Sequence, residues 1–177
     1  KKWLRVEAFN LQKDSIYSQE KNEWFKHAAV ETGDRESYRE RLIKSLKRGT
    51  IIIERDGRLE FQHRMWQEFL AGSYLAEIVD QKGAEHIRDI VWRQSHDFKG
   101  IASPWYVPLR FAAEESVAVS DFLWKCRTAI PLTIARLVPT SGNDERNIWA
   151  LETLIRHYET TGTWLQSGNQ SIVAGID

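Results

Sequence analysis

In LEFQHRMWQEFLAGSYLA, residues 59–76, an alternating pattern gives way to an almost wholly apolar helix, and a histidine stands at the seam. Side chains of a strand alternate with period two, so Leu59, Phe61 and His63 share one face and the imidazole continues a core-directed row. Two roles are open to such a ring. It is satisfied structurally, by a backbone carbonyl or by covering helix-start N–H groups, or it is a donor aimed at a phosphate brought by another domain. A second candidate set is Arg41, Lys44, Lys47 and Arg48, one side of an amphipathic helix. Such a face contacts nucleic-acid phosphates where the helix is a recognition helix, but Glu36 and Glu40 lie on the same helix, so a solvated face is the primary reading. Glu85, His86 and Asp89 put ligand-type side chains on one helical turn, a combination common on solvated surfaces, and no metal site is assigned to them. Ser95-His96-Asp97 spells a triad in letters only, because neighbours in sequence cannot line up nucleophile, base and orienting acid.

Several chemistries lack their residues. There is no G-x-x-x-x-G-K-[ST] loop to cradle phosphates, no G-x-G-x-x-G, no G-x-S-x-G elbow and no H-E-x-x-H. The single cysteine, Cys126, has no histidine near it in sequence. No catalytic activity is expected of this chain alone.

The elements around these residues come from composition and pattern. The 177 residues suffice for one ordinary domain or a small domain plus part of another. Twenty-five basic and 25 acidic residues balance, which argues against a surface that is entirely a nucleic-acid or anionic-membrane footprint. One cysteine excludes an intrachain disulfide and fits a reducing compartment, so a cytoplasmic location is expected. The opening KKWLRVEAFNLQKD has no signal-peptide pattern and reads as an excerpt of a longer protein. AIPLTIARLV is interrupted by Pro131 and Arg136, so no membrane span is expected. Asn169-Gln170-Ser171 matches a glycosylation acceptor by chance. Of eight tryptophans, Trp66, Trp92, Trp105, Trp124 and Trp149 fall in segments read as helical, and most are expected in the core.

A capped pattern predicts a helix from Ser18 to about Val30, and Asp34 caps a second that carries the basic face and ends at Gly49. TIIIE and RLEFQ flank Asp56-Gly57, a two-residue hairpin loop whose residues both need positive φ, as in a type I′ turn. From Arg64 to Val79, Met65, Trp66, Phe69, Leu70, Tyr74, Leu75, Ile78 and Val79 nearly encircle a helix, with Gly72 and Ser73 in its middle. Such a helix is wedged between two bodies. Helix, basic helix and two-stranded wing is the order of a winged-helix module. Beyond Gly83 the chain reads as helices near 84–94, 104–115, 117–128, 129–138 and 144–160, separated by glycine and proline, with a polar tail and no repeat of fixed period. The expected fold is therefore mainly α. A winged-helix domain with a two-stranded β-hairpin wing spans 1–82, and packed α-helical hairpins span 83–177.

Phe61, His63, Gln67, Glu68, Phe69 and Ala71, followed by Tyr74-Leu75-Ala76, write F-x-H-x-x-x-Q-E-F-x-A. This stretch resembles the end of the winged-helix module in NACHT proteins, a branch of the STAND signalling NTPases that includes NOD-like receptors and bacterial antiphage proteins. The match covers residues 50–80, is compatible from residue 18 and says little beyond 83. The resemblance implies that His63 contacts the β-phosphate of ADP held by an upstream nucleotide-binding domain of the same chain, and that Phe61, Gln67, Glu68 and Phe69 are structural. It implies an ATPase parent whose P-loop lies upstream, ADP or ATP with Mg as its cofactors, and self-association on activation in bacterial innate immune or antiphage defence. Gly72 stands where the family commonly has alanine, and Trp66 is bulkier than the usual phenylalanine. The rival expectation is a DNA-binding winged-helix transcription regulator with a helical effector domain.

Overall fold

The structure is a computed structural model and describes residues 2–26, 35–94, 99–101, 103–137 and 144–162. It is mainly helical with a small three-stranded antiparallel sheet. Two compact units divide between Tyr74 and Leu75, inside one helix.

In the first unit, α1 spans Lys2–Lys13 and buries Leu4, Ala8, Phe9 and Leu11 together with the polar Glu7 and Gln12. Its carboxyl end closes through the Ile16 N–H donating to the Leu11 carbonyl at 2.8 Å, with Ser15 at φ 56°. The helix expected from Ser18 does not form there. Ser18–Glu20 is instead a strand, β1, and residues 21–25 form turns. Neither a serine cap nor an acidic first turn outweighs pairing with a neighbouring strand, because β propensity is dominated by context. After α2, Arg35–Arg48, come β2, Ile52–Arg55, and β3, Arg58–Phe61. The sheet order is β1-β3-β2, with Gln19 opposite Leu59 and Ile53 opposite Glu60. Asp56 and Gly57 sit at φ 51° and 75°, as the two-residue loop requires. The hairpin is thus as expected, but the sheet has a third strand, clamped by Arg58, which reaches the Ser18 carbonyl at 2.7 Å and Glu20 at 2.8 Å. Ile52, Leu59 and Phe61 point from the sheet into a core shared with Trp24 and Phe25.

The long helix α3, Arg64–Lys82, follows two residues after the sheet. From Gln67 to Val79 none of its residues is exposed, so the encircling apolar pattern holds there, whereas Met65 and Trp66, counted in that pattern, are exposed. Gly83 at φ 97° ends it.

In the second unit, α4 spans Glu85–Val91, α5 Tyr106–Glu115, α6 Val117–Lys125, α7 Pro131–Leu137 and α8 Asp144–Thr161. The expectation that everything past Gly83 is helical fails at Trp92. There the chain forms a small hairpin, β4 (Trp92–Gln94) with β5 (Lys99–Ile101), and a 3-10 turn at Ser103–Trp105. Ile87, Val91, Ile101, Trp105, Leu109, Leu123 and Ile134 are its buried apolar centre. The tryptophans divide: Trp24 and Trp105 are fully buried, Trp92, Trp124 and Trp149 half-buried, and Trp66 exposed. Among the described residues no helix is long and apolar enough to cross a membrane.

Candidate functional site

The row of core-directed side chains stops one position before the histidine. Leu59 and Phe61 are buried, β3 ends at Phe61, and the Gln62 N–H closes the sheet on the Ile51 carbonyl at 3.0 Å. His63 is exposed, so it is not the buried core histidine that strict alternation allows. Its carbonyl accepts the Trp66 N–H at 2.9 Å, which puts the residue immediately ahead of the first turn of α3. The next side chains also face outward: Met65 is 66% and Trp66 44% exposed. Exposed Tyr17 lies beneath the Arg64 guanidinium, 4.6 Å from it, and exposed Ile16 precedes Tyr17. The beginning of α3 therefore presents an imidazole beside large apolar side chains that this unit leaves uncovered.

What fixes this turn is polar and buried. Gln67, 1% exposed, donates from Nε2 to Gln12 Oε1 at 3.2 Å and to the Ile16 carbonyl at 3.1 Å, joining α3 to the end of α1. Glu68 accepts from Arg64 Nε at 2.8 Å across one helical turn. Gln67 thus acts through a backbone carbonyl and the Gln12 side chain, whereas Glu68 acts through a neighbouring side chain of its own helix. Phe61 packs on Trp24 with ring centroids 5.4 Å apart, Phe69 is half-buried and Ala71 fully buried.

Sequence reasoning missed Glu7. Its carboxylate accepts the Phe25 N–H at 3.0 Å, where Phe25 adopts φ 58°, a conformation unusual for a bulky residue. Burial pushes the Glu7 carboxyl up to about 7, against the lowering effect of the Phe25 N–H, with nearby Glu23 adding to the rise. The signal was available. Leu4, Glu7, Ala8 and Leu11 follow helical spacing, so an acid stands inside an apolar stripe.

Arg41, Lys44, Lys47 and Arg48 all lie exposed on α2. Lys47 donates to Glu54 on β2 at 2.7 Å and holds that carboxyl below its ordinary range. Lys44, Lys47 and Arg48 border an open groove with Lys21, Glu40 and Ile43. On the sheet, Arg55 meets Glu60 at 3.2 Å and Arg58 meets Glu20, so these strand cations are neutralised locally.

Glu85 and Asp89 are exposed and His86 half-buried on α4, and among the described residues no group of three His, Cys, Asp or Glu could hold a metal. Ser95-His96-Asp97 and Asn169 lie outside the described residues. Cys126 ends α6 half-buried, and burial pushes its thiol up, away from the reactive thiolate. No protein-family model, no curated protein and no solved structure matches the chain.

Proposed function

We propose that this chain is the winged-helix and helical segment of a NACHT-type STAND signalling NTPase, and that His63 holds the ADP-bound, inactive arrangement. The observation that carries the reading is the exposed imidazole ahead of the first turn of α3, on a helix whose next turn is locked by Gln67 and Glu68. A donor that must reach a phosphate on another domain has to face outward, and the exposure of His63 at the start of a helix anchored by Gln67 supports this reading. The helix-start N–H groups nearby favour an anion further. Met65, Trp66, Ile16 and Tyr17 then offer apolar surface for the upstream nucleotide-binding domain to cover.

In this reading α2 and the Asp56-Gly57 hairpin are the basic helix and wing of the winged-helix module, with β1 an added strand. His63 donates to the β-phosphate of ADP, which the upstream domain binds with Mg. Exchange for ATP removes that contact and shifts the population toward an open, self-associating form. A cytoplasmic role in bacterial antiphage defence is part of the same proposal. One charge-assisted hydrogen bond is worth about 1.5–3 kcal/mol, enough to move the equilibrium tenfold or more. In the natural full-length protein, release of a fluorescent ADP analogue should accelerate about tenfold in His63→Ala. Unchanged release with intact folding would remove His63 from the mechanism.

A second reading has one observation in its favour. The exposed basic side chains of α2 border an open groove, as a DNA-contacting helix would require. A salt-dependent shift of a short duplex, abolished by Lys44→Glu with Arg48→Glu, would support a winged-helix DNA-binding regulator instead.

A further inference from the structure

The last described helix carries an apolar line that the second unit does not cover. On α8, Ile148 is 57%, Leu151 58%, Ile155 39% and Tyr158 39% exposed, while Ala150 on the opposite side is buried. That opposite side is firmly seated. Trp149 meets Trp124 edge-on at 5.2 Å, and Arg146 donates to Ser120 Oγ at 2.8 Å and to Asp121. The exposed residues advance by three, four and three positions, which is the a/d spacing of a helix-packing seam. Three glutamates, Glu145, Glu152 and Glu159, run beside it seven residues apart, all exposed and without an ion pair among the described residues. With Ile148 and Ile155 at a, every glutamate falls at e, the position that selects a partner by charge. The other flank, position g, is Asn147, Leu154 and Thr161, with no charge.

We infer that the Ile148-Leu151-Ile155-Tyr158 face of α8 is a docking surface for an amphipathic helix of a partner protein, one whose apolar stripe is flanked by lysine or arginine at seven-residue spacing. A second copy of α8 does not satisfy this surface. Packed antiparallel, two copies would set their glutamate rows against each other, and packed parallel they would face each glutamate with an uncharged g position. Charge complementarity therefore names a basic partner, and the uniform row of glutamates rejects acidic ones. Arg156 stands four residues after Glu152 and three before Glu159, and three glutamates against one arginine leave this flank net acidic.

The test uses the whole chain and two synthetic helix-forming peptides with the same isoleucine and leucine seam, one carrying lysine at e and g, the other glutamate. Fluorescence anisotropy at low salt should show the lysine peptide binding about tenfold more tightly than the glutamate peptide, with the difference shrinking at high salt. Glu145→Lys with Glu152→Lys and Glu159→Lys should reverse the preference, and Leu151→Glu with Ile155→Glu should abolish binding. All five positions are exposed, so the variants keep their fold. Equal affinity for both peptides, or binding of neither, would overturn the inference. So would concentration-dependent dimerisation of the unaltered chain that Leu151→Glu with Ile155→Glu abolishes, since the occupant would then be a second copy.

Discussion

The two units hold themselves together by different means. In the first, Glu7, Gln12, Gln67, Glu68 and Ser73 are buried, Glu7 and Gln67 fix one segment against another, and Glu68 braces the start of its own helix through Arg64. Among the described residues of the second, the buried polar ones are Ser116 and Thr133, and the others that are buried are aliphatic or aromatic. A buried hydrogen bond demands one geometry, whereas apolar packing tolerates small adjustments. Specific placement is thus concentrated in the unit that carries His63, and both units leave apolar helix residues open, Met65 and Trp66 on α3 and the Ile148-to-Tyr158 line on α8.

If that contrast is right, the second unit should be most sensitive to lost volume. Leu109→Ala, at a fully buried site on α5, should cost about 2–5 kcal/mol in urea unfolding, because the cavity closes only in part. The first unit should instead respond to pH. The Glu7 carboxyl rises from 4.5 to about 7 on folding, so the folded state binds the proton more tightly than the unfolded chain. Its stabilising contribution is complete below about 4.5 and is lost as pH rises through about 7, a change of about 3 kcal/mol at most. Glu7→Gln keeps an acceptor for the Phe25 N–H and should flatten that part of the stability profile; an unaltered slope would assign the titration to other groups.

Smaller effects sharpen the comparison. Gln67→Ala removes the donor to both Gln12 and the Ile16 carbonyl and should cost about 1–3 kcal/mol. It should also weaken proteolytic protection of the Ile16–Tyr17 stretch ahead of the second unit. Ser116→Ala removes the α6 cap, which accepts the Val119 N–H at 3.3 Å and donates to Asp80 at 2.6 Å, and should cost about 1 kcal/mol by thermal unfolding.

The elements legible in the sequence were those with strong local chemistry. Asp56-Gly57 forced a turn that few other pairs accept, and the apolar run of α3 had room for only one reading. α8 runs from Asp144 to Thr161 against an expected 144–160. β1 was illegible because Ser18-Gln19-Glu20 has no strand character of its own and exists through its pairing with β3. The β4–β5 hairpin was hidden in the same way, since Trp92 continues the helical pattern of α4. Alternation placed His63 in the core because it assumed that the strand continued; the strand stops at Phe61, and the ring turns outward. Arg41, Lys44, Lys47 and Arg48 were readable as one exposed face, but the capture of Lys47 by Glu54 depends on β2 folding beside α2. Glu7 stands in the sequence as an acid inside an apolar stripe, but its partner, the Phe25 N–H, lies 18 residues away in a turn and is not legible there.

The most direct test of the central claim is the ADP content of the natural full-length protein after identical washing, measured for wild type, His63→Ala and Lys44→Glu with Arg48→Glu. About one ADP per chain is expected in wild type and in the charge-reversed protein, with loss of it in His63→Ala while folding stays intact, as follows from one charge-assisted contact. Equal ADP in all three, or none in any, would contradict the claim.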